Sequence, residues 1–182
     1  MKKIMVMFAE GNEEVEALTP VDLFRRVGEH VDIVSVTDDL IITSSHGVDI
    51  MATTTLEKLK KEEYDAIIIP GGLTGATSLK DNERVLDLIR YMNESGKVVA
   101  AICAGPIVLE AAGVLKGKNI TSYPGFEKSF EDAHYHEDTV VIDGNIVTSR
   151  GPATAMQFGA ALVEKLCGAE TADKLRKQLL LA

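Results

Sequence analysis

Short apolar runs alternate along this chain with helix-length amphipathic segments, and that alternation narrows the possible folds more than any other feature. A strand without polar interruption is buried on both faces, and parallel strands joined by crossover helices are the arrangement that buries them so. Strands are expected over residues 4–9, 31–36, 66–70, 98–102 and 120–122. A hairpin pairs 139–142 with 146–148, turning at Asp143-Gly144. Helices fit residues 13–27, 82–95, the stretch after Cys103 as far as Ala112, 153–166 and 171–180. Pro20 falls inside the first of these and has no backbone donor, so that helix is expected to kink or restart near Thr19. No repeat, low-complexity tract or linker divides the sequence, and one α/β domain over residues 1–182 is the expectation.

Charge narrows the partners. Asp and Glu number 28 against 19 Lys and Arg, a formal charge of −9 that repels nucleic acid and anionic membrane surfaces. No apolar stretch approaches the roughly 18 residues of a membrane-spanning helix. The opening MKKIMVMFAEGNEEVE carries acids directly after its apolar run and no small-residue cleavage site, so it reads as a first strand. Two cysteines far apart make no disulfide framework, which points to a reducing cytoplasm.

In open α/β sheets ligands bind beyond the carboxyl ends of the strands, and three segments there are unusual. In Val98-Val99-Ala100-Ala101-Ile102-Cys103-Ala104-Gly105-Pro106, an apolar strand runs into a cysteine and then into a helix pattern. This is the form of a nucleophile elbow, with small residues, Ala101 and Gly105, two positions before and after the nucleophile. Pro106 suits a first helical turn, whose free amides and dipole would stabilise a thiolate, so Cys103 is expected to be acidic and reactive. The alternative is a cysteine packed as a small hydrophobe at a strand end. Cys167 sits at a helix C-terminus, where the dipole disfavours a thiolate, and reads as structural. In Ile67-Ile68-Ile69-Pro70-Gly71-Gly72-Leu73-Thr74-Gly75, a strand opens into glycines that permit close approach to an oxygen anion or form a plain turn. It lacks the ending of a phosphate-binding P-loop. The third segment, Glu10-Gly11-Asn12-Glu13-Glu14-Val15-Glu16, packs carboxylates into a helix start, where solvated first-turn acids are the ordinary case.

Glu13-Glu14-Val15-Glu16, Pro70-Gly71-Gly72, Ala100 to Pro106 and Thr148-Ser149-Arg150-Gly151-Pro152 together resemble, in order and spacing, the ThiJ/PfpI superfamily, in the branch of Parkinson disease protein 7 and its deglycases. The resemblance extends over nearly the whole chain. It implies a flavodoxin-like three-layer sandwich of the class I glutamine amidotransferase type, a mostly parallel central sheet with helices on both faces, and a homodimer. It also implies that Glu16, as a protonated acid, hydrogen-bonds the Cys103 thiolate. Burial beside an anionic sulfur is what would raise its pKa. The same match makes the amides of Gly72 and Ala104 oxyanion donors, with Gly71 shaping the turn, and places Arg150 in the wall of the site. His46, in Ser44-Ser45-His46-Gly47, falls in a stretch that reaches a partner subunit's site in the family. No cofactor or metal is implied.

Two departures from relatives bear on the chemistry. Peptidases and many glyoxalases of the superfamily place His directly after the cysteine, where this chain has Ala104, so a Cys-His-acid protease is disfavoured. Near relatives carry a His close to the thiol where this chain has Tyr123, which keeps a hydroxyl but no general base at neutral pH. His134 and His136, with Glu137, make only a faint metal half-site and read as solvated loop residues, and His30 reads as a cap or surface residue. The expected function is a cysteine-dependent enzyme acting on small aldehydes or dicarbonyls, as a glutathione-independent glyoxalase or a protein deglycase. The alternative is an oxidative-stress sensor or chaperone whose cysteine is oxidised to sulfinic acid. An inactive amidotransferase-like fold ranks last, since no His-Pro-Glu segment is present.

Overall fold

The computed structural model describes residues 1–181. Its strands are β1 (Lys3–Phe8), β2 (His30–Ser35), β3 (Ile41–Thr43), β4 (Asp49–Met51), β5 (Thr54–Thr55), β6 (Ala66–Ile69), β7 (Val98–Ile102), β8 (Asn119–Ile120), β9 (His134–Tyr135), β10 (Val140–Asp143) and β11 (Ile146–Ser149). Its α-helices are α1 (Glu14–Arg26), α2 (Leu73–Lys80), α3 (Glu83–Glu94), α4 (Pro106–Ala111), α5 (Ala155–Cys167) and α6 (Ala169–Leu179). Seven strands form the central sheet in the order β10-β11-β7-β6-β1-β2-β5. Every pairing in it is parallel except the β10–β11 hairpin at one edge. The flavodoxin-like α/β sandwich is therefore the fold.

The strands alternate between two cores. Met5, Met7, Ile67, Ile69, Val99 and Ala101 face a layer that includes Leu79, Ile89 and Val108 from α2, α3 and α4. Ile4, Val6, Phe8, Ile68, Ala100 and Ile102 face Leu23, Phe158 and Leu175 from α1, α5 and α6. Register keeps the faces aligned, for Met5 lies beside Ile67 and Ile67 beside Val99. Burial on both sides is why these strands read as uninterrupted apolar runs.

Three expectations need correction. Residues 119–120 do not join the central sheet: β8 pairs with β9 in a separate two-stranded ladder, and both strands are too short for their apolar pattern to declare a partner. The helix over 14–26 does not restart at Thr19 but runs through Pro20, whose ring is buried in its packed face. The lost bond is the one to the Glu16 carbonyl four residues earlier. Finally, no helix is expected directly after β6, yet Leu73–Lys80 form α2, with Gly75, Ala76 and Leu79 on its buried face, while Pro70, Gly71 and Gly72 remain a loop. Glycine and threonine there are poor helix formers, and packing overrides them. No helix among the described residues is long and apolar enough to cross a membrane.

Candidate active site

The loops after β1, β6, β7 and β11 meet at the carboxyl end of the sheet. Cys103 follows β7 and has φ +63°, the left-handed region that a side chain rarely occupies. Its amide donates to the Ser149 carbonyl at 3.0 Å, and its own carbonyl accepts from the Tyr123 amide at 2.9 Å. Those flanking bonds hold a conformation that costs roughly 1–3 kcal/mol by itself. The turn also needs a small residue at 105: a Cβ on Gly105 would stand 2.5 Å from the Ile69 carbonyl oxygen and 2.9 Å from that of Ile102. Pro106 takes the first turn of α4, where no donor is lost.

Glu16, in the first turn of α1, is fully buried. Its Oε2 accepts the Gly71 amide at 2.8 Å, while Oε1 has no hydrogen-bond partner. The side chain that interacts with the carboxyl is the Cys103 thiol. Gly71 explains how they come so close, since a Cβ there would lie 2.4 Å from Glu16 Oε2 and 2.6 Å from Cys103 Cβ. Burial, reinforced by the neighbouring Glu13 charge, raises the Glu16 pKa from its ordinary 4.5 to about 7; its bonds to Cys103 and Gly71 pull the other way.

Cys103 corrects the expectation of an acidic thiol. Burial, and then the adjacent Glu16 carboxylate, push it up to about 12, although the amides of Ala104 and Gly72 directed at the sulfur oppose the rise. Six-residue α4 and its first-turn amides do not outweigh desolvation and a like charge. Glu16 and Cys103 thus hold one proton between them over the range from about 7 to about 12. Cys167, at the end of α5, is raised to about 11 by burial and by Glu29.

Of the remaining expected residues, Tyr123 and Arg150 lie together. With Pro124, Gly151, Pro152 and Ala153 they line a depression of about 180 Å³ beside the elbow. Arg150 donates to the Glu137 carbonyl at 3.1 Å, which ties it to the wall. His46, in the turn between β3 and β4, is 70% exposed and reaches Glu14 Oε1 at 3.1 Å and Glu13 Oε1 at 3.9 Å, so its contacts are with the start of α1 and not with Cys103. These three side chains bring possible ligand atoms within 4.8 Å of one another, in an ion-pair cluster at the helix start. His136 bonds Asn119 at 2.7 Å, and His134 lies in β9.

Asn12 is the residue that the sequence reading missed. It is fully buried, its Oδ1 accepts the Ala9 amide at 2.7 Å, and its Nδ2 donates to the Gly71 carbonyl at 2.7 Å. After a glycine it reads as an ordinary turn residue, and nothing in the spacing shows that its side chain turns inward.

The DJ-1/PfpI family profile matches residues 2–165. Protein dj-1beta of Drosophila melanogaster is 37% identical over 100% of this chain and 98% of its own length. The crystal structure of Drosophila DJ-1beta superimposes with a TM-score of 0.96, covering 100% of this chain and 98% of that one. Deglycase PH1704 of Pyrococcus horikoshii is 37% identical over 83% of this chain and 91% of its own. Protein DJ-1 homolog B of Arabidopsis thaliana is 37% identical over 98% of this chain, which spans only 41% of that longer relative.

Proposed function

Because this chain belongs to the DJ-1/PfpI family, we propose that it is a cysteine-dependent enzyme acting on small reactive carbonyls, as a glutathione-independent glyoxalase or a protein deglycase. The observation that carries this reading is the placing of one fully buried carboxyl, Glu16, and the backbone amides of Gly72 and Ala104 beside Cys103 at the elbow. The deglycase named among its relatives supports the substrate class.

The site's shared proton has two seats. With the proton on sulfur the pair is inert, and with the proton on Glu16 it is a thiolate facing a neutral acid, stabilised by the Gly72 and Ala104 amides. The thiolate adds to the aldehyde carbon of a dicarbonyl such as methylglyoxal, forming a carbon–sulfur bond and an alkoxide that those amides hold. Glu16 gives its proton to that alkoxide and, now a carboxylate, removes the proton from the same carbon and returns it to the adjacent one, while the hydroxyl proton passes to the adjacent oxygen. The product is a lactoyl thioester on Cys103, which water cleaves to lactate, restoring the thiolate. Tyr123, Arg150 and the depression they line receive the rest of the substrate. We read the whole chain as one domain, acting as a cytoplasmic homodimer without a cofactor.

Lactate formed from methylglyoxal, followed by NMR without glutathione or amine buffer, tests the reading. Catalytic lactate from the parent and none from Cys103→Ser is the expected result; equal rates would overturn it. The redox alternative keeps one observation in its favour: the unpartnered Glu16 Oε1 would find an acceptor in a sulfinate oxygen. In that case mild peroxide oxidises Cys103 ahead of Cys167, read by peptide mass spectrometry, and carbonyl turnover is absent.

A further inference from the structure

We propose that Asn12 is a positioning residue that sets the direction of both loop amides serving Cys103 and Glu16. The inference rests on the reading of the Gly72 amide as an oxyanion donor.

In a trans peptide the C=O and the following N–H point in opposite directions, so fixing one aims the other. The Gly71 carbonyl accepts two donors, Asn12 Nδ2 at 2.7 Å and the Glu13 amide at 3.0 Å. That plane's N–H belongs to Gly72 and is directed at the Cys103 sulfur. The preceding plane carries the Pro70 carbonyl, which the same Nδ2 reaches at 3.4 Å, and the Gly71 N–H, which donates to Glu16 Oε2 at 2.8 Å. One side-chain NH₂ group therefore holds two consecutive planes whose N–H groups serve the thiol and the acid. The assignment of its nitrogen and oxygen is unambiguous, because carbonyls face one atom and the Ala9 amide faces the other.

The loops are packed too closely for this to be a loose tether. A Cβ on Gly72 would lie 2.5 Å from the Gly11 oxygen and 2.6 Å from the Glu13 nitrogen, and one on Gly75 would lie 2.4 Å from Asn12 Cγ. The side chain therefore has one seat.

The test uses the full chain with Asn12→Ala and Asn12→Ser. The serine hydroxyl can still accept the Ala9 amide, as short polar side chains do in such turns, but is too short to reach the Gly71 carbonyl. It separates support of the loop from aim of the amides. The first readout is the rate of Cys103 alkylation by iodoacetamide against pH, with Cys167 followed separately by peptide mass spectrometry. The Gly72 amide favours the thiolate, so losing its aim moves the alkylation midpoint to higher pH in both variants. The second is turnover of methylglyoxal: kcat falls about tenfold with KM little changed, short of the roughly 100- to 1000-fold that outright loss of an oxyanion donor costs. An unchanged alkylation profile in a folded Asn12→Ser or Asn12→Ala protein would overturn the proposal. Alkylation needs no carbonyl turnover, so a shifted profile in a protein that makes no lactate would sink the enzymatic reading and leave the role of Asn12 standing.

Discussion

The chemistry of a single residue, Glu16, fixes a testable pH dependence. Its carboxyl has an ordinary pKa of 4.5 and one of about 7 in the fold, raised chiefly by burial. Below pH 4.5 it is neutral whether the chain is folded or not, and its burial carries no charge penalty. Between 4.5 and about 7 the native state binds the proton that the unfolded state has lost, so stability declines as pH rises through this window. At about 1.4 kcal/mol per pKa unit the decline reaches up to about 3 kcal/mol by pH 8. Glu16→Gln has the shape of the neutral acid, with an oxygen for the Gly71 amide and an NH₂ for the sulfur, and does not titrate. Urea denaturation should therefore show Glu16→Gln gaining on the parent by about 2–3 kcal/mol between pH 5 and pH 8, and identical pH dependences would exclude a neutral Glu16 in the fold. The same substitution should abolish lactate formation while leaving Cys103 open to alkylation, because the amide cannot move a proton between carbons. This residue was only half legible in the sequence. Its spacing from the helix start placed it in α1 beside two other acids, and the family resemblance singled it out. Its burial depends on Gly71, 55 residues away, having no side chain.

Among the elements, the elbow and the α1–α5 packing show how one chemical change can have two costs. Gly105 and Gly159 both sit where a Cβ collides. At Gly105 the obstacles are the Ile69 and Ile102 carbonyl oxygens, which are fixed by the sheet. At Gly159 the closest atom is Leu23 Cδ1, at 2.6 Å, the tip of a side chain that can turn aside. Gly105→Ala should cost about 3 kcal/mol by chemical denaturation and slow Cys103 alkylation. Gly159→Ala should stay within about 1 kcal/mol of the parent, since alanine regains roughly that much helix propensity inside α5. Equal costs would mean that the strand-to-helix turn is free to open. Central strands, the elbow and five of the six helices were plain in the sequence because each buries a continuous face with its own period. The small ladder of β8 and β9, the β3–β4 hairpin and helix α2 were not. They are short, their partners are remote in sequence, and α2 carries glycine and threonine, with Gly75 packed directly against Asn12.

At the scale of the whole molecule, the β3–β4 hairpin has apolar side chains on both faces. Ile42 and Ile50 are directly paired and buried in the core beneath, while Ile41 and Met51, paired at the ladder's end, are 59% and 70% exposed. A hairpin with an apolar outer face is a candidate contact for a second copy, and a two-fold contact would bring Met51 of each copy to the same shared patch. The hairpin is also wired to the site, for the Gly11 amide donates to the Thr43 carbonyl at 3.0 Å and the Ser45 amide to the Asn12 carbonyl at 2.8 Å. Dimer contact would therefore stiffen the segment from which Asn12 holds the Gly71 carbonyl. Sedimentation should find the parent as a dimer and Met51→Asp as a monomer with an intact fold, because a carboxylate on each side of the axis is desolvated and repelled. Lactate formation per chain should fall several-fold in Met51→Asp, and in the parent as it is diluted through its dissociation range. A specific activity that stays flat across that range would show that the hairpin lends nothing to the chemistry, whatever the oligomeric state.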